Sequence, residues 1–280
     1  MRRQVWILTA ILGVFVAAAA AGQTREENAM RCAGPAANPD LAIGACTALI
    51  QSGQETPAGL SVFFFSRATA YDRQQQYDRA IADYGQAIRL APDRAAKSFN
   101  ARGFDYLRQG DSGRAIADFD QAIRLDPNLA EAFYRRGAAY SDARQNDRAF
   151  EDFDRTTRLD PNNAFAFNAR GFLYSLKGDT EHAIADYDQA LRLDPNYALA
   201  FNNRGIAYSL KGDADRAIAD YDRAIRLDPN YALPFNNRGI AYLSKHDCLH
   251  AMQDFAKAAQ LNPNSAVPAA AAPCASPAKP

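Results

Sequence analysis

Two sets of residues in this 280-residue chain have the types and spacing to do chemistry. The first is a series of six pairs, Arg67/Asp83, Arg102/Asp118, Arg136/Asp152, Arg170/Asp186, Arg204/Asp220 and Arg238/Asp254, with Asp always sixteen residues after Arg. A row of carboxylates could supply acids and bases, but that work needs groups whose surroundings push their pKa values apart. Six equivalent copies offer no such contrast, so each pair is read as an ion pair between two helices. The second set is His246, Cys248 and His250. Two histidines four apart share one helical face, and Cys248 points off it, so no metal site is expected. The chain has no nucleophile elbow, phosphate-binding loop, zincin or kinase pattern. No catalytic residue and no cofactor is therefore assigned, and the chain is not expected to be an enzyme.

The elements that carry these residues repeat. Gly103, Gly137, Gly171, Gly205 and Gly239 are 34 residues apart each time, as are Pro127, Pro161, Pro195, Pro229 and Pro263. Ala68 and Pro92 extend the pattern to a sixth unit, with one residue inserted before Gly103. A fixed period of this length marks stacked helix–turn–helix units. Phe201, Gly205 and Tyr208 share one face of a first helix, and Gly212-Asp213 ends it and caps the next. Ala217, Ile218, Tyr221, Ala224, Ile225 and Leu227 then form the apolar stripe of a second helix, which Asp228-Pro229-Asn230 terminates. Glycine at 205 marks a close approach of the two helices, where a side chain would force them apart.

These residues resemble the tetratricopeptide repeat (TPR) family, whose order is aromatic, Gly, Tyr, Ala, aromatic, Ala, Pro. The fourth unit supplies Phe167, Gly171, Tyr174, Ala183, Tyr187, Ala190 and Pro195, and the fifth supplies Phe201, Gly205, Tyr208, Ala217, Tyr221, Ala224 and Pro229. Ala68 replaces the glycine of the first unit, and Thr156 replaces a small alanine of the third. The resemblance covers residues 61–264 and implies an all-α fold, a right-handed α-solenoid of six helix–turn–helix repeats. Asp40 to Ile50 lines up with Asp78 to Ile88, with Cys46 in the aromatic position. That makes residues 22–60 an N-terminal cap containing a half-repeat, which solenoid ends require.

The ends carry other signals. Arg2 and Arg3, the apolar stretch Val5 to Val16 and the alanines 17–21 read as a secretory signal over residues 1–21, cleaved after Ala19, Ala20 or Ala21. No lipobox cysteine follows, so the expected location is periplasmic or secreted, and any membrane attachment would be through an uncleaved signal segment. Export favours disulfides. Four cysteines allow three pairings; Cys32 with Cys46 is expected to fasten the strand before the half-repeat, and Cys248 with Cys274 is the other local pair. Residues 265–280 form an Ala/Pro-rich tail expected to be disordered.

Lys plus Arg and Asp plus Glu both number 32, so the formal charge is zero and no basic face points to nucleic acid. The informative surface is the concave face built by the first helix of each unit. Asn100, Asn168, Asn202 and Asn236 lie three before the repeat glycine, and Asn203 and Asn237 two before it. Asparagine is a poor residue for a helix interior, and its amide can grip an extended backbone through both donor and acceptor. Beside these stand Phe165, Phe172, Leu199, Ile206, Leu210, Leu233 and Ile240. Of the basic clamp that related domains use for acidic C-termini only Arg135 is matched; Phe65, Thr69, Ala101 and Glu131 fill the other places. The expected binding set is Asn100, Arg135, Asn168, Phe172, Asn202, Asn203, Ile206, Asn236, Asn237 and Ile240. The expected function is a protein- or peptide-binding scaffold of a bacterial envelope with no small-molecule substrate; the alternative is a non-catalytic subunit or targeting module of an envelope enzyme complex.

Overall fold

The computed structural model describes residues 24–34, 38–263 and 274. Residues 1–21, expected as a signal segment, and the tail apart from Cys274 lie outside them. Every regular element among the described residues is helical. None of these helices is long and apolar enough to cross a membrane. The chain divides into two compact units, unit 1 up to Ala143 and unit 2 from Arg144.

Unit 1 starts with α1 (residues 24–33) and α2 (Pro39–Gln51), followed by α3 (Pro57–Arg73), α4 (Tyr77–Leu90), α5 (Ala96–Arg108), α6 (Ser112–Leu125) and α7 (Ala130–Asp142). The segment expected as a strand before the half-repeat is helical. It packs Ala29 and Cys32 against Ala45, Cys46 and Leu49 of α2, and Cys32 is bonded to Cys46 with Cα atoms 4.9 Å apart. Unit 2 contains α8 (Asn146–Leu159), α9 (Ala164–Leu176), α10 (Thr180–Leu193), α11 (Ala198–Leu210), α12 (Ala214–Leu227), α13 (Ala232–Ser244) and α14 (Cys248–Leu261). Within each unit consecutive helices pack against one another.

The turns follow from local chemistry. Gly110, Gly178 and Gly212 take φ near +80°, which closes the first helix of a repeat. Asp111, Asp179, Asp213 and Asp247 then cap the second helix, each carboxylate accepting from the backbone N–H three residues on. His246 stands in the left-handed position with φ 60°, so it is a turn residue. His182 and His250 each bond the carboxylate of their own helix cap and stack on Tyr174 and Tyr242. Cys248 is bonded to Cys274.

Inside each repeat the small residue decides the spacing. A methyl group at Gly205 would lie 2.6 Å from the Tyr221 ring, and one at Gly103, Gly171 or Gly239 would meet Phe119, Tyr187 or Phe255 within 2.9 Å. Five of the six expected Arg/Asp pairs lie wholly within one unit, and all five form. Arg204 Nε and Nη2 donate to Asp220 at 2.8 and 2.7 Å, and the pairs at Arg67, Arg102, Arg170 and Arg238 repeat this fork. The guanidinium also reaches backwards. Arg136, Arg170, Arg204 and Arg238 donate through Nη1 to Asp120, Asp154, Asp188 and Asp222 of the preceding second helix. At Arg102 that place is taken by Gly85, which has no carboxylate to offer.

Three outcomes test this framework. Arg204→Ala leaves Asp220 buried without its partner and should cost about 3–5 kcal/mol in urea unfolding. Gly205→Ala should cost about 1–3 kcal/mol through the clash with Tyr221. Cys46→Ser removes a 14-residue loop closure and should cost about 3 kcal/mol, whereas a loss near zero would mean that α1 adds nothing to the cap.

Candidate binding face

In unit 2 the first helices α9, α11 and α13 present one face at equal phase. Residues seven and eleven apart on a helix fall on the same side, so Phe165, Phe172 and Leu176 line up on α9, Leu199, Ile206 and Leu210 on α11, and Leu233 and Ile240 on α13. All eight are exposed, from 37% at Ile206 to 68% at Leu210. Large apolar side chains left this open on adjoining helices are characteristic of interaction surfaces. No charged residue occupies the corresponding positions of these three helices. Their arginines, 170, 204 and 238, are committed to the aspartate forks, and the next cations, Lys177, Lys211 and Lys245, lie beyond the helix ends.

The asparagines divide into two roles. Asn168 and Asn202 are buried, at 6% and 2% exposure. Asn203 Nδ2 donates to Asn168 Oδ1 at 3.0 Å, and Asn237 Nδ2 donates to Asn202 Oδ1 at 2.9 Å. Asn168 Nδ2 in turn donates to the Tyr197 hydroxyl at 3.3 Å. Asn168 and Asn202, expected in the binding set, are therefore buried, and their side-chain oxygens are spent on neighbouring helices. Three residues before the glycine, the side chain points to the junction with the following first helix, and its oxygen is used there. Asn203, Asn236 and Asn237 are half-buried at the surface. Asn236 makes no side-chain hydrogen bond among the described residues, because its equivalents bond a following repeat and α13 is the last first helix.

In unit 1 the expected residues form a different group. Asn100 is buried and donates through Nδ2 to Glu131 Oε2 at 3.1 Å, and Arg135 donates to Glu131 Oε1 at 2.6 Å and to the Asn100 carbonyl. The Arg135 guanidinium lies 4.0 Å from the centre of the Phe104 ring. Burial lowers its pKa, with Glu131 opposing. Arg135 is committed to Glu131, and Asn100 keeps a buried Oδ1 with no hydrogen-bond partner. Repeat phase identifies the face they lie on; it does not reveal that Glu131 engages both.

Comparison with known proteins agrees with this architecture. Tetratricopeptide repeat models match residues 62–94, 130–163 and 198–231, and a further TPR repeat model matches 103–143 and 174–212. The chain belongs to the tetratricopeptide repeat family. Its all-α fold is the α-solenoid of that family, and TPR repeats are typically non-catalytic protein-interaction modules. The structure is similar to that of YrrB, described as a TPR protein with an unusual peptide-binding site, with TM-score 0.57 and 24% identity over 68% of this chain and 95% of that one. It is similar to MamA from Desulfovibrio magneticus RS-1, with TM-score 0.55 and 24% identity over 60% of this chain and 95% of that one. A tetratricopeptide repeat protein from Parabacteroides merdae gives TM-score 0.62 and 20% identity over 86% and 94%. No curated protein matches the sequence.

The two asparagine roles separate on substitution. Asn202→Ala removes the acceptor of Asn237 and should destabilise by about 1–3 kcal/mol. Asn236→Ala should leave the unfolding free energy within about 0.5 kcal/mol of the parent. Equal losses at the two sites would remove the distinction.

Proposed function

We propose that unit 2 binds an extended, uncharged and largely apolar peptide segment of a partner protein along α9, α11 and α13, and that the chain acts as a scaffold in a bacterial envelope. The observation that carries this reading is the exposed apolar face just described, uniform in chemistry through three consecutive repeats. Phe172, Ile206 and Ile240 take the partner's side chains, while Asn203, Asn236 and Asn237 offer amide groups to its backbone. Each backbone hydrogen bond contributes only about 0.5–1.5 kcal/mol net, so affinity comes from several rungs together with the apolar contacts. That TPR proteins serve as interaction scaffolds, and that the similar YrrB is described with a peptide-binding site, support the same reading. The chain is not an enzyme in this proposal; an enzyme partner would be on another chain.

The envelope location rests on the sequence of residues 1–21. Intact-mass measurement of the chain recovered from a producing bacterium should give a mature N-terminus after Ala19, Ala20 or Ala21. A full-length mass from the soluble envelope fraction would overturn it.

A charge placed in the groove should act on binding alone. The pair Ile206→Asp and Ile240→Asp, both on exposed positions, should retain helicity and melting while weakening partner capture from envelope extract by tenfold or more, a loss of at least about 1.4 kcal/mol. Undiminished capture by the double variant would place the partner on another face.

A further inference from the structure

Asp105 breaks the repeat. Two residues after the small residue, the other five units have Ala70, Ala139, Leu173, Ala207 and Ala241, and all five are buried. Only the second repeat puts a carboxyl group there. Asp105 is 1% exposed, and its Oδ2 has no hydrogen-bond partner. Burying such a group is costly, and a small apolar residue fits the position in every other copy. Asp72 is a second departure, four residues after Ala68, where the other repeats have Leu107, Ser141, Ser175, Ser209 and Leu243. The fold brings Asp72 of α3 within hydrogen-bonding reach of Asp105 of α5.

The charged and titratable groups around Asp105 are Asp72 from α3, Tyr84 from α4, Arg108 from α5 itself and Arg135 from α7. Arg108 Nη1 donates to Asp72 Oδ1 at 2.7 Å. Arg135 is engaged by Glu131. Asp105 is thus left beside a carboxylate with neither cation bonded to it. A cavity of about 540 Å³ lies against Asp72, lined also by Tyr84, Asn100, Phe104, Arg108 and Arg135.

We propose that Asp72 and Asp105 form a proton-binding site at the junction of α3 and α5 in unit 1, with one proton shared between the two carboxyl groups. Losing that proton to solvent places a second negative charge in the buried junction of α3 and α5, and it lowers the charge beside the cavity by one. Stability of unit 1, and docking of any charged group in the cavity, then depend on pH. Burial first, and the Asp72 charge second, raise Asp105 to about 8. The folded chain therefore keeps a proton that the unfolded chain releases near pH 4. The sign follows from linkage: the contribution is full below the unfolded value, declines as pH rises from about 4, and levels off above about 8.

The test uses the full chain. Thermal and urea unfolding between pH 5 and pH 8 should show the unfolding constant of the parent rising by up to about tenfold per pH unit relative to Asp105→Ala, which restores the residue of the other repeats. Asp105→Ala should be the more stable at pH 8. Independently of any variant, the Asp105 carboxyl carbon in NMR should titrate well above pH 6, and Asp72→Ser should move that titration downwards. Parallel pH dependence in the parent and Asp105→Ala would overturn the proposal, as would an Asp105 titration in the ordinary carboxylate range.

Discussion

The structure depends on how closely the two helices of a repeat approach. At Gly103, Gly171, Gly205 and Gly239 an aromatic ring of the second helix rests against a bare α-carbon. That spacing brings the two helices near enough for a guanidinium on the first to fork onto a carboxylate of the second. Stacked repeats then place residues of equal phase in line, so that a substitution pattern along the sequence becomes a surface. Dispersion and burial hold the pair together, and the Arg–Asp fork makes one register favourable. Shifting the register by one residue would leave a buried aspartate without its partner, at a cost of several kcal/mol.

Arginine does more here than close its own repeat. Through Nη1 the guanidinium of Arg170, Arg204 and Arg238 also holds an aspartate of the preceding second helix. Each arginine thereby ties neighbouring repeats within unit 2, and aromatic rings lie beside it, as Phe201 and Tyr208 do at 5.6 and 5.9 Å from the Arg204 guanidinium. Lysine could not replace it, since a point charge lacks the planar fork that addresses two carboxylates at once. With charges consumed in the interior of the stack, the face of α9, α11 and α13 is left to apolar side chains and amides.

Much of this was legible in the sequence because a repeat supplies its own internal comparison. The helix pairs, the glycine contact, the forks and the exposed apolar positions all follow from period and phase. The Asp-x-Asp spacing at 186/188 and 220/222 also displayed the backward ion pair, but periodicity alone does not say which neighbour a third nitrogen reaches. The buried partners of Asn168 and Asn202 were hidden for a related reason: phase places a residue on a face but not its depth, and the junction between first helices is deeper than the groove beside it. The helix at residues 24–33 belongs to no repeat, so period gave no hint of it. Asp105 is legible only as an exception, one carboxyl in a column of five apolar residues.

The central claim is that the face of α11 meets a partner in the cell while the opposite surface of its repeat does not. A photoreactive benzophenone amino acid placed at Ile206, and in a separate chain at the exposed Ala219 of α12, measures this directly on irradiation of living cells. The account predicts a discrete covalent adduct from position 206 and none from position 219. Adducts from 219 alone, or none from 206 in cells that produce the partner, would contradict it.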